Sequence, residues 1–261
     1  MEKKQITEIA HLLDDARLKA YTLSQFSSQI ANFTREAAYS IQEEGLSRRI
    51  ERGEKIIGLK MGLTSEGKRK QMNLDSPLYG ALTDKMQVPN NGVFHLKGSI
   101  HPKIEPEIAF FIAKELKGKI SRAEVLAATQ YIAPALEILD SRYEGFKYFS
   151  MEDVIADNSS SSYFIIGAPC TNFSSLDLLN MKMKMKINGH TLAEGISSDI
   201  SGDPVISVIQ LAELMAQRDQ GIPANTIVLA GAATLAISLE ANMQVTLEVD
   251  ELEMMSVTIK E

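Results

Sequence analysis

The chain has 261 residues, 44% hydrophobic and 23% charged, enough for a full buried core in one large domain or a large and a small one. Its net charge of -7 lacks the basic footprint of a nucleic-acid binder, and no apolar run approaches the ~18 residues of a membrane span. The lone Cys170 cannot form an internal disulfide and the polar start Met1-Glu2-Lys3-Lys4-Gln5 has no signal-peptide pattern, so a cytoplasmic location is expected.

Ile6, Ile9, Leu13 and Ala16 fall on one stripe and predict a helix over 6–20. Thr34 is a good N-cap for a second helix running through Ala38, Ile41 and Arg49, with Gly53 as its end. The texture then changes. Ile56-Ile57-Gly58-Leu59 reads as a strand leading into Lys60. Desolvation between Leu59 and Met61 would ease proton loss from Lys60 and suit it to acid–base work; a surface lysine with a buried stem is the other reading. Pro89-Asn90-Asn91-Gly92 predicts a turn before Val93 and Phe94.

Ile104-Glu105-Pro106-Glu107 and Ala135-Leu136-Glu137 place carboxylates inside apolar, strand-like runs. Strand alternation puts Glu105, Glu107, Ala109 and Phe111 on one face and Ile104, Ile108, Phe110 and Ile112 on the other. Ser121-Arg122-Ala123-Glu124 is a capping-box pattern before the apolar stretch Val125–Tyr131, so the two strands should be joined across a helix. Three inward carboxylates would repel one another without a cation, and an all-oxygen set suits Mg²⁺ or Mn²⁺. Spacing alone leaves a second reading open, with Glu105 and Glu107 on the solvent face of an edge strand and Glu137 paired to Arg142.

Asp157-Asn158-Ser159-Ser160-Ser161-Ser162 reads locally as a loop. Met181–Ile187 alternates Met and Lys before Asn188-Gly189, a half-buried strand entering a tight hairpin with Lys182, Lys184 and Lys186 on a solvated face. Asp203-Pro204 opens a helix that Gly221 and Pro223 should end, and 226–259 reads as strands. The sum is α+β, helices first and a mixed, mostly antiparallel β-body after them. His11, His95, His101 and His190 lack metal-ligand spacing, and no Gly-x-Ser-x-Gly elbow, Walker loop or dinucleotide fingerprint is present.

Several ordered motifs carry more. Gly58–Ser65 (GLKMGLTS), Pro77-Leu78-Tyr79-Gly80, His101–Ile108 (HPKIEPEI), Pro134–Ile138 (PALEI), Asp140-Ser141-Arg142 and Ala156–Ser161 (ADNSSS) together resemble the hydratase/decarboxylase branch of the fumarylacetoacetate hydrolase superfamily, from about residue 30 to the C-terminus. The resemblance implies a β-roll fold, with 1–75 as an N-terminal helical portion and 76–261 as the catalytic domain, Lys60 being contributed from the preceding segment. It implies Mg²⁺, with Mn²⁺ as the alternative, held by Glu105, Glu107 and Glu137. Lys60, Ser161 and Arg142 would be catalytic, and Tyr79, Ser160, Asp157 and Thr234 would bind substrate. Gly231-Ala232-Ala233-Thr234 departs from the branch at Ala232, where Gly or Ser is usual.

Gly58–Gly62, Leu78–Gly80, His101–Lys103 and Ser141–Lys147 are more similar to the decarboxylases of the branch than to its hydratases. The implied reaction is decarboxylation of 2-oxo-3-hexenedioate to 2-hydroxypenta-2,4-dienoate in meta-cleavage catabolism of aromatics; hydration of that dienol on the same metal site is the alternative. A small 2-oxo acid substrate, a homo-oligomer and a complex with the partner hydratase are the implied associations. Hydrolysis of an acylpyruvate ranks lower, since no His–Glu base pair is apparent, and a non-catalytic subunit is disfavoured by retention of the glutamates and Lys60.

Overall fold

The computed structural model describes residues 1–65, 69, 74, 76–146 and 150–261. Lys147, the last residue of one of the motifs above, lies outside them. Among the described residues, no helix is long and apolar enough to cross a membrane.

The N-terminal helices are α1 (Lys3–Lys19) and α2 (Arg35–Glu51). Thr34 caps α2 as expected, its hydroxyl accepting from Ala37 N at 3.2 Å. Ion pairing ties α1 to the end of α2: Arg52, the residue just past α2, donates both terminal nitrogens to the Asp14 carboxylate at 2.7 Å each, Arg48 of α2 adds a contact, and Arg17 of α1 braces the same carboxylate.

The β-body contains two sheets. A seven-stranded sheet runs β2 (Leu78–Thr83), β1 (Ile56–Gly62), β9 (Thr226–Ala232), β4 (Lys103–Ile112), β5 (Thr129–Leu139) and β6 (Ser161–Ile166), with β10 (Ile237–Ser238) also on β4. A five-stranded sheet runs β3 (Gly92–His95), β12 (Met255–Lys260), β11 (Gln244–Val249), β7 (Lys182–Ile187) and β8 (His190–Ile196). Pairing is antiparallel except between β1 and β9 and between β12 and β3. Asn188 (φ 50) and Gly189 (φ 82) make the β7–β8 hairpin, whose positive dihedrals match its two-residue turn. Lys184 and Lys186 face Glu194 and Glu248, as a solvated row should.

The alternation read along β4 holds. Ile104, Ile108, Phe110 and Ile112 join the main core with Ile132, Leu136, Met183, Met185, Val245 and Leu247, which fills the space between the sheets. Ala109 faces the other way, with Leu82, Met86, Ala135, Phe164 and Leu229. That second face is the one that carries the carboxylates.

Two boundaries differ from expectation. The capping box of Ser121 forms, but its helix α3 (Arg122–Ala128) stops there and Thr129 already begins β5, so the apolar stretch to Tyr131 is divided between helix and strand. Helix α4 (Met151–Ala156) precedes the serine run, and α5 (Pro204–Ala216) ends before Gly221 and Pro223. Just past its end, Arg218 pairs with Glu36 and Glu43 of α2, and Asp219 turns left-handed at φ 57.

Candidate metal centre and active site

Adjacent rungs of the large sheet set the geometry. Glu105 pairs with Glu137 and Glu107 with Ala135 across β4 and β5, so residues on these rungs share a face. Carboxylate oxygens of Glu105, Glu107 and Glu137 lie within 4.8 Å of one another. Glu107 and Glu137 have no exposure at all, which excludes the solvent-facing edge-strand reading. Lys60 arrives on β1, its Nζ 3.0 Å from Glu137 Oε2. Glu137 therefore pairs with Lys60 and not with Arg142.

Two irregularities aim further donors at this cluster. A register shift between Ile138 and Leu139 places Ser161 opposite Leu139, and the Ser161 hydroxyl donates to Glu137 Oε1 at 2.8 Å. A second shift between Glu107 and Ala109 lets Gly231 N donate to Glu107 Oε2 at 2.6 Å. Gly231 has φ 110, and a Cβ there would stand 2.4 Å from Thr64 Cγ2, so only glycine fits. Glu107 Oε1 is buried with no hydrogen-bond partner among the described residues.

Burial, then the charges of Glu137 and Glu105, push the Glu107 carboxyl well above its usual range, against Lys60 and the Gly231 N–H. For Lys60, burial alone would lower the pKa, but Glu137, Glu105 and Glu107 outweigh it and the net shift is upward. With no cation among them, the carboxylates thus act against the easy proton loss that burial alone would give Lys60. A buried carboxylate oxygen without a donor, facing two further carboxylates, fits a hard divalent cation.

A cavity of about 380 Å³ opens beside the cluster. Lys60, Glu105, Thr64, Ser159, Lys103 and Thr234 supply its polar wall, and Leu78, Leu139, Phe146, Val154 and Leu235 much of its apolar wall. Ala232, the departure noted above, also lines it.

The other expected residues are placed differently. Arg142 does not line this cavity. Its guanidinium donates to the Asp157 side chain, the Asp157 carbonyl and, at 2.5 Å, the Asp140 carbonyl. Asp157 is its buried partner, raised by burial to about 6 although Arg142 pulls the other way. Tyr79 stacks on Tyr39 at 4.6 Å, on the side of β2 away from the cavity, and burial raises its hydroxyl to about 12. Ser160 is buried with a hydroxyl that finds no partner among the described residues, and it is Ser159 that reaches the cavity. Lys103, Thr64 and Ser159 were not singled out from sequence. Lys103 could have been: it has the parity of Glu105 and Glu107 on the same strand.

No protein-family model matches the chain. A 4-oxalocrotonate decarboxylase from Pseudomonas sp. is 40% identical over 252 residues, covering 97% of both chains. The chain belongs to the hydratase/decarboxylase branch of the fumarylacetoacetate hydrolase superfamily. Within that branch, a 2-hydroxyhexa-2,4-dienoate hydratase from Comamonas testosteroni is 36% identical over 235 residues, 88% of this chain and 89% of that one. The solved structure of a 4-oxalocrotonate decarboxylase from Pseudomonas putida G7, complexed with magnesium and adipate, superposes with a TM-score of 0.96 at 35% identity over 99% of this chain and 98% of that one. The α+β roll read from the family resemblance is thus the observed fold.

Proposed function

We propose that the protein is a Mg²⁺-dependent lyase that decarboxylates 2-oxo-3-hexenedioate to 2-hydroxypenta-2,4-dienoate and CO₂. The carrying observation is the buried Glu105–Glu107–Glu137 cluster with Lys60 against it, in a chain so similar along its length to 4-oxalocrotonate decarboxylases. Mn²⁺ is the alternative ion. When bound by the three glutamates, the cation would supply a Lewis acid that stabilises negative charge on the substrate's 2-oxo oxygen.

The substrate is a vinylogous β-keto acid. The C5–C6 bond breaks, its electron pair passes through C3=C4 to the C2 oxygen, CO₂ leaves, and uptake of one proton gives the dienol. Lys60, its Nζ 3.0 Å from Glu137 and at the cavity wall, orients the 2-oxo head and assists proton movement there. Ser161 fixes Glu137 in place through its hydrogen bond. Thr234 and Ser159 offer hydroxyls to substrate at the cavity wall. Arg142 and Asp157 act one layer behind, as a buried pair that holds the serine run beside the site. Tyr79 and Ser160 support that layer rather than touch substrate.

Hydration of the dienol is the second reading, favoured by similarity to the hydratases. The proposal includes a cytoplasmic homo-oligomer associated with the partner hydratase, supported by the family resemblance and the lone thiol.

The test is an ultraviolet assay with trapped CO₂, with Mg²⁺ and 2-oxo-3-hexenedioate, and in parallel with 2-hydroxypenta-2,4-dienoate. CO₂ release abolished by EDTA is the expected result; dienol consumption without CO₂ would install the hydratase reading. In Glu107→Gln, divalent-ion affinity measured by calorimetry should fall by more than about 100-fold, with activity falling alongside. Unchanged ion affinity would remove the metal centre from the proposal.

A further inference from the structure

We infer that Lys103 selects a dicarboxylate, its ammonium receiving the carboxylate at the end of the substrate away from the three glutamates. The inference rests on the 2-oxo acid reading above and names the residue that makes the substrate a diacid.

The sheet supplies the ruler. Lys103 pairs with Leu139, and Leu139 with Ser161; the next rung is Glu105, Glu137 and Phe164; the one beyond is Glu107 and Ala135. Lys103 therefore shares a face with the glutamates and stands one rung outside them, opposite to Glu107. Rungs on one face are spaced by about 7 Å. A six-carbon diacid, with five carbon–carbon bonds between its carboxyl carbons, spans a comparable distance when extended. Leu78, Leu139 and Val154 provide an apolar wall for its hydrocarbon middle.

Charge points the same way. Among the described residues that line the cavity, the cations are Lys60 and Lys103. Lys60 is committed to Glu137. Arg142, one of the residues expected to be catalytic, is consumed by Asp157 and backbone carbonyls. Lys103 instead rests on the Phe146 ring, its Nζ 4.3 Å from the centroid, and no carboxylate among the described residues pairs with it. A ring face steadies an ammonium while leaving its donors for an anion. His101 makes a T-shaped contact with the same ring, 5.3 Å between centroids.

The carboxylate held by Lys103 is the one that leaves as CO₂ and loses its charge. The contact is thus strongest before the bond breaks, and its removal should raise KM more than it lowers kcat. The probes are 2-oxoadipate and 2-oxohexanoate, which share the 2-oxo head, lack the C3=C4 bond and differ at C6. Calorimetry on the Mg²⁺-loaded protein should show 2-oxoadipate bound at least tenfold more tightly. Lys103→Met should abolish that preference while keeping Mg²⁺ affinity and 2-oxohexanoate binding, and Lys103→Arg should keep most of it. Persistence of the preference in Lys103→Met with Mg²⁺ affinity intact would overturn the assignment. Equal binding of both probes by the unaltered protein would instead defeat the dicarboxylate substrate itself.

Discussion

At the scale of single residues, each carboxylate in this protein is defined by its partners. Glu137 accepts from Ser161 on one oxygen and has the Lys60 Nζ 3.0 Å from the other, whereas Glu107 keeps one buried oxygen with neither a donor nor a cation beside it among the described residues. Asp157 shows the opposite balance. Its pKa rises from 3.8 to about 6 because burial outweighs Arg142. The unfolded chain releases this proton near pH 3.8 and the folded protein near 6, so ionisation opposes folding across that window. The stability contributed by Asp157 should fall as pH rises from about 4 to about 6 and then level off. Carbon-13 NMR of its carboxyl should show the midpoint near 6. Denaturation of Asp157→Asn should lack that part of the pH slope; an Asp157 midpoint below 4 would contradict the balance.

Among elements, the site depends on breaks in regular strand geometry. Pro106 has no N–H for a ladder, and the register shift beside it between Glu107 and Ala109 leaves Gly231 N free to bond Glu107. Asn158, Ser159 and Ser160 are consecutive left-handed residues, with φ 49, 57 and 55. Asn158 bonds Ala81 N and O at 2.8 and 2.9 Å, a side chain standing in for a strand partner along β2. Such backbone is costly for non-glycine residues and persists where the surroundings enforce it. Gly231→Ala should remove more than about 2 kcal/mol, because both the φ of 110 and the 2.4 Å approach to Thr64 oppose a Cβ. Urea denaturation would measure it, and a loss under 0.5 kcal/mol (about the size of an ordinary surface substitution) would mean the bulge relaxes.

For the whole molecule, the question is where the helical portion ends. A division at residue 75 cuts between β1 and β2, which pair from Ile56↔Thr83 to Gly62↔Leu78. β1 also pairs with β9, so it is an internal strand of the sheet that holds the glutamates. We propose the boundary near Gly53, after α2. A fragment of residues 76–261 would lack Lys60 and expose the edges of β2 and β9. It should not fold, showing poor amide dispersion and no divalent-ion binding, whereas a well-dispersed spectrum would restore the boundary at 75.

The local pattern of the chain carried the capped helices, the parity of β4 and the identity of the three glutamates as one group. These features depend on periods of 3.6 and 2 residues and on caps within one turn, which neighbouring residues settle among themselves. The family resemblance added the fold and the shared site. Neither could tell Arg142, buried on Asp157, from an arginine facing substrate, or see that Lys60 meets Glu137. Those outcomes depend on residues distant in sequence: Arg142 and Asp157 are 15 apart, and Lys60 meets Glu137 across strands that are not even neighbours in the sheet. Burial and opposing charge act through space, so only the assembled sheet decides which ionisable group faces the cavity and which is spent on holding it together.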